Sequence, residues 1–176
     1  MKELLRKSVL LMVFCILLFS MEGCGILRRG SGNAFRSDED LADEMAEKII
    51  ACIEAEDAGA FTELFSKSVQ DSTPSLSEQA EECMEFYQGK TESCEGNASS
   101  KASSEYGETV LLELNGHYKI ITDAEQYVMA FQYCPLDGEE PDKVGLTSVE
   151  IATAEAFDEE DFRWIYTNRP GIYVQD

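Results

Sequence analysis

The chain contains one histidine, His117, the only side chain with an ordinary pKa near neutral pH besides any perturbed thiol. A general acid or base for chemistry at pH 7 would start there. His117 follows Asn115-Gly116, a pair that favours a two-residue hairpin because both residues accept positive φ. That places the imidazole on an exposed turn, away from a desolvated cleft. Asp123 and Glu125 border a strand-like stretch and read as turn or edge acids, so they offer the histidine no dyad. There is no Gly-x-Ser-x-Gly elbow and no Cys-His arrangement for nucleophilic catalysis. Carboxylates gather in Asp137-Gly138-Glu139-Glu140-Pro141-Asp142 and in Asp158-Glu159-Glu160-Asp161. Neither run has the spacing of an EF-hand loop, and no Cys-x-x-Cys pair is present for zinc. Both read as solvated runs, the second as the first turn of a short helix ending near Trp164, where acids complement the helix dipole. No catalytic residue, metal or cofactor is expected.

Aromatic side chains carry what chemistry remains. Tyr127, Met129, Phe131 and Tyr133 alternate with smaller residues, which gives a central strand one large aromatic face. Phe162-Arg163-Trp164-Ile165-Tyr166 packs on the sheet or helices, or else forms an aromatic-and-arginine surface for a peptide, glycan or protein. Tyr87, Tyr127, Tyr133, Arg163, Trp164 and Tyr166 are therefore the candidate pocket or partner surface.

Positioning these groups takes one domain of ordinary size. The chain has 176 residues, with 35 acidic and 14 basic side chains and a net charge of −21. Such a chain repels a phosphate backbone, which excludes nucleic acid as a partner. The N-terminus has a separate logic. Lys2, Arg6 and Lys7 precede the unbroken apolar run Val9 to Phe19. As a helix that run spans about 16 Å, too short for a hydrocarbon core of about 30 Å, and it reads as a signal-peptide core. Met21-Glu22-Gly23-Cys24 follows and resembles a bacterial lipobox, although Glu22 departs from the small or apolar residue usual there. The resemblance implies cleavage after residue 23 and diacylation of Cys24, a two-chain anchor strong enough for stable membrane attachment at the extracytoplasmic face. Residues 24–36, rich in Gly, Ser, Asn and Arg, read as a flexible tether. Cys15 leaves with the signal. Cys52, Cys83, Cys94 and Cys134 remain, either as small core hydrophobes or in one of three complete disulfide pairings.

Residues 37–176 form the domain. Ser37 before Asp38-Glu39-Asp40 reads as an N-cap, and Leu41, Met45, Ile49, Cys52 and Ile53 make one apolar stripe on a helix ended by Gly59. Phe61, Leu64, Phe65 and Val69 make a short second helix. Ser75 to Glu78 has the form of a capping box for a third, carrying Leu76, Ala80, Cys83, Met84 and Tyr87 and closed by Gly89. An edge strand at 91–95 then leads into a mobile Ser-rich loop. Strands follow at 110–114 and 117–122, the second either returning from the Asn115-Gly116 turn or running on after a bulge, at 127–134, and at 144–152 with a β-bulge near Thr147 to repair its apolar phase. Pro135 to Lys143 is an acidic loop.

Helices followed by antiparallel strands make an α+β fold, with helices packed on one face of a curved sheet. The order looks like the cystatin-like or NTF2-like cone. Four stretches, Ile49-Ile50-Ala51-Cys52-Ile53-Glu54, Leu64-Phe65-Ser66, Asp142-Lys143-Val144-Gly145-Leu146 with Val149-Glu150-Ile151, and Pro170-Gly171-Ile172-Tyr173, resemble a family of uncharacterised bacterial lipoproteins, domain-of-unknown-function family 5104. The resemblance spans about residues 38 to 175 and implies an exported, lipidated domain with no known activity. The expected function is non-catalytic: binding of a protein, peptide or small ligand by a membrane-anchored domain. The alternative is an NTF2-like enzyme or small-ligand binder using the cone pocket.

Overall fold

The computed structural model describes residues 37–166 and 169–176. The expected signal, Cys24 and the tether lie outside these residues. Helix α1 (Asp38–Glu54) begins with a reciprocal capping box: the Asp40 N–H donates to Ser37 Oγ at 3.0 Å, and the Ser37 N–H donates to Asp40 Oδ2 at 2.9 Å. Its buried face is Ala42, Met45, Ala46, Ile49, Ile50 and Ile53. The expected stripe is thus rotated slightly, leaving Leu41 and Cys52 half-buried. The helix stops at Ala55, before Gly59, which lies inside α2 (Ala58–Glu63) because Asp57 caps a new turn through the Ala60 N–H at 2.9 Å.

The expected second helix is two, α2 and α3 (Lys67–Ser72). Between them the chain leaves the helix to pair with the sheet: the Ser66 N–H donates to the Leu146 carbonyl and the Leu146 N–H to the Leu64 carbonyl, both at 2.9 Å. Helix α4 (Leu76–Phe86) forms without the expected capping box. The Ser75 hydroxyl instead accepts a hydrogen bond from Gln79 Nε2 at 3.3 Å.

Five strands follow: β1 (Thr91–Glu105), β2 (Glu108–Thr122), β3 (Gln126–Asp137), β4 (Gly145–Thr153) and β5 (Gly171–Gln175). They lie in sequence order, antiparallel throughout except for the parallel β4–β5 pair. The fold is α+β.

The Ser-rich segment is not a mobile loop. It continues β1, paired with β2 from Thr91↔Thr122 to Glu105↔Glu108. Residues 99–105 are exposed throughout, so no apolar alternation marks them as a strand. The hairpin turn is Tyr106-Gly107, with φ of 52° and 87°, and not Asn115-Gly116.

Gly116 lies in mid-strand opposite Phe131. A Cβ there would come within 2.3 Å of Phe131 Cζ. Its missing side chain lets that ring lie across β2, stacked on Tyr118 with centroids 5.7 Å apart. The signal that suggested a turn is a packing requirement. The expected bulge is present: Tyr133 pairs with Leu146 and Gln132 with Ser148, which leaves Thr147 as the extra residue. β3 runs on through Pro135 to Asp137, so the acidic loop is shorter than expected. The last strand, only five residues long, was not expected as a strand.

The core lies between the helices and one sheet face, where Ile49, Phe61, Tyr127, Met129, Phe131 and Ile151 are fully buried. Cys52, Cys83, Cys94 and Cys134 are all free thiols. Cys83 serves as a core hydrophobe, and burial pushes its thiol up to about 12. Phe131→Ala should cost about 3–5 kcal/mol in urea unfolding. Gly116→Ala should destabilise the wild type yet cost clearly less in the Phe131→Ala background, because the two sites share one space. Additive losses would show that the ring does not depend on the glycine.

Candidate functional site

The sheet's second face carries the site. Strand register sets His117 beside Ala130, Ala130 beside Glu150 and Glu150 beside Tyr173, one row across β2 to β5. After β4 the chain makes a single helical turn, α5 (Ala154–Phe157), capped by Thr153. Residues 158–166 then cross this face as a strap with turns but no strand. Asp158 to Asp161 come after α5 and do not begin a helix, contrary to the expected placement of those acids.

Glu150 holds the strap. Its side chain is fully buried in a strand buried on both faces. A carboxylate in such a place must be hydrogen-bonded or it is expelled. Glu150 Oε2 accepts the backbone N–H groups of Ile165 and Tyr166, both at 2.7 Å, and Oε1 accepts from Gln175 Nε2. No described cation pairs with it. Two consecutive amides pinned to one oxygen fix how the strap crosses. That crossing brings the rings of Phe157, Phe162, Trp164 and Tyr166 together with centroids 4.9–5.7 Å apart, edge to face except for the tilted Phe157–Trp164 pair.

His117 joins this cluster instead of standing at a turn. Its ring lies 6.0 Å from both Trp164 and Tyr166, and Nε2 shares a hydrogen bond with the Tyr166 hydroxyl at 3.2 Å. One side of the imidazole stays open to water. The partial burial holds its pKa below the ordinary imidazole value. Burial, and then the Glu150 charge, raise the Tyr166 phenol. Asn97, His117, Lys119, Val128, Phe157 and Trp164 line a groove of about 290 Å³ beside the strap.

The six residues expected as a pocket or a partner surface lie in three places. Trp164 and Tyr166 are in the strap cluster. Arg163 beside them is exposed, its Nη1 donating to the Phe162 carbonyl. Tyr87 and Tyr127 lie in the core, stacked with centroids 4.8 Å apart. The Tyr127 hydroxyl accepts the Gln88 N–H at 2.8 Å, and the Tyr87 hydroxyl bonds Thr91 Oγ1 at 2.8 Å. Tyr133, with Lys101, Glu113 and Cys134, borders a separate pocket of about 180 Å³. Asp123 is the turn acid expected, accepting the Lys90 N–H at 2.7 Å. Among the described residues no three His, Cys, Asp or Glu side chains converge as metal ligands.

Sequence reasoning missed Glu150 and Phe157. The signal for Glu150 was legible: one carboxylate inside Val149-Glu150-Ile151-Ala152, a run too apolar for a solvated strand. Phe157 carried none, since only the strap's path joins it to the cluster.

Glu150→Gln keeps one acceptor oxygen and aims an amide N–H at other donors, leaving buried groups unpaired at about 1–3 kcal/mol. Trp164 is the chain's only tryptophan, so its fluorescence reports the strap directly. The variant should shift Trp164 emission to the red and raise acrylamide quenching; unchanged emission would mean that the strap is held by its rings alone. The second expectation concerns His117. Its folded pKa lies below the unfolded value of about 6.5, so protonation opposes folding. The stability tied to this group is complete above that pH and declines as pH falls through it. An NMR titration of the sole imidazole should give a midpoint below 6.5 that rises towards it in Trp164→Ala.

No curated protein matches the chain. A family described as a domain of unknown function (DUF5104) matches residues 48–155, from within α1 to α5. The match includes Glu150 but stops short of the strap residues and Gln175 that it binds. With more than half of its length so matched, the chain belongs to the DUF5104 family.

Proposed function

We propose that this is a lipid-anchored extracytoplasmic binding domain, held to the bacterial cell membrane through Cys24, that acts by engaging a protein or peptide and not by catalysis. The observation that carries the reading is where the aromatic residues are. The tyrosines facing the helices, Tyr87 and Tyr127, are buried, stacked on each other and hydrogen-bonded to their neighbours, so they offer a ligand little free surface. Phe157 and Trp164 instead border an open groove on the far face, where Phe157 keeps 41% of its surface exposed. Apolar rings around a groove suit a partner's side chains. The buried carboxylate favours the same reading, because Glu150 is already committed to backbone amides and a side-chain amide and has no imidazole partner. Helices against one face of the sheet are what a cystatin-like or NTF2-like cone would have.

Two measurements test the reading. Membrane fractionation with labelled fatty acid should show incorporation into the wild-type chain and none into Cys24→Ala; equal labelling would refute the anchor. A purified chain that takes up one equivalent of an apolar dye into its helix-side interior would instead be a small-ligand binder, and the interaction reading would fall.

A further inference from the structure

The strongest unclaimed feature is the free edge of the sheet. β1 pairs only with β2, so the backbone N–H and C=O groups along its other edge face outward. Between residues 91 and 97 this edge runs beside α1. The Thr91 N–H donates to Glu54 Oε1 at 2.7 Å, and Asp43 accepts from the hydroxyl of Tyr118, which pairs with Gly96. Asp43 to Glu54 spans about 16 Å of helix, and Thr91 to Gly96 about 17 Å of strand. Helix and edge therefore run side by side in opposite directions.

A groove of about 480 Å³ lies between them, bordered by Asp43, Glu47, Glu92 and Glu95. No described Lys or Arg forms an ion pair with any of the four. The Cys94 thiol, raised to about 11 by burial and then by Asp43 and Glu47, registers the negative potential there. On the opposite face the same stretch of β1 borders the aromatic groove, through Glu95, Gly96 and Asn97. The two grooves flank a single strand edge and share Glu95: the first carries Asp43, Glu47 and Glu92 besides, the second Trp164, Phe157 and Val128 together with Lys119 and His117.

We infer that β1 between residues 92 and 97, beyond the Thr91 N–H already held by Glu54, accepts an extended peptide segment as a sixth strand, with alternate side chains basic towards α1 and apolar towards Trp164 and Phe157. Strand addition takes its affinity from main-chain hydrogen bonds and its specificity from pockets for alternate side chains. The period of two along a strand sends successive residues to opposite faces, one groove each. The net charge of −21 speeds the encounter with a basic segment and discourages a second copy of this acidic chain from taking the same edge. The inference rests on the binding-domain reading and names that domain's partner.

The probe is a capped peptide of five Lys-Val repeats, titrated against the full chain in detergent micelles. Its control has the same ten residues as a lysine block followed by a valine block. The alternating peptide should bind at least about tenfold more tightly, and Glu47→Gln with Glu92→Gln should weaken it about five- to tenfold. N-methylation of the lysine amides or of the valine amides separates the two edges of the added strand: one set should abolish binding and the other should spare it. Equal binding of the block peptide, or equal effects of the two methylated sets, would reduce the interaction to charge attraction and overturn the inference. A stable dimer of the chain alone that resists the peptide would make a second copy the occupant and overturn it too. Neither failure touches the anchor or the helix-side interior, which the fatty-acid label and the apolar dye test separately.

Discussion

A buried carboxylate without a cation is tolerated only when its lone pairs are occupied, and this requirement at Glu150 organises half of the molecule. The residue sits in β4, whose two faces are both covered, so it cannot reach water. Its oxygens are filled by the amides of Ile165 and Tyr166 and by the Gln175 side chain. Those donors come from the strap and from β5, the two pieces of chain with least local structure of their own. One charged group thereby joins strand, strap and last strand. Removing its partners would strand a buried charge, a larger penalty than any single ring contact in the cluster.

The two sheet faces solve different problems. On the helix side the difficulty is bulk: Tyr118, Tyr127 and Phe131 must fit under α1 and α4. Gly116 makes room for one ring by having no side chain, and the ring stacks at 11° to Tyr118. On the strap side the difficulty is coverage. A few rings must shield Ala130, Ser148, Glu150 and Ala152, all buried there. Edge-to-face packing covers wide area with few residues, and it leaves Phe157 and Ile165 at the rim with water on one side.

What could be read from the sequence follows the same division. The α1 cap, the α4 stripe and the Thr147 bulge announce themselves through residues close in the chain, and the structure has all three. Asn115-Gly116 misled because the local preference for a turn is real, while the reason for the glycine is Phe131, fifteen residues away. The outer half of β1 has no apolar phase, because neither of its faces is buried and only its pairing with β2 makes it a strand. The candidate pocket and surface residues are dispersed for a related reason. Tyr127 and Trp164 are both aromatic, but sheet parity sends one to the core while the strap carries the other to the far face.

The edge strand shows why such long-range placement matters for what the chain can do. An open edge is a hazard in most proteins, and charged side chains are one way of keeping it from pairing with copies of itself. Here the acids beside the edge do more than repel. Glu92 and Glu95 lie on the strand while Asp43 and Glu47 face it from α1, so the charge lines a groove and is not scattered along a rim. Like charge on an identical chain is excluded, and opposite charge on an extended segment is drawn in. In the proposed strand addition one arrangement would both disfavour self-pairing and favour a basic segment, and it depends on α1 lying antiparallel to β1. That alignment is fixed at one end by Glu54 and Thr91 and at the other by Asp43 and Tyr118.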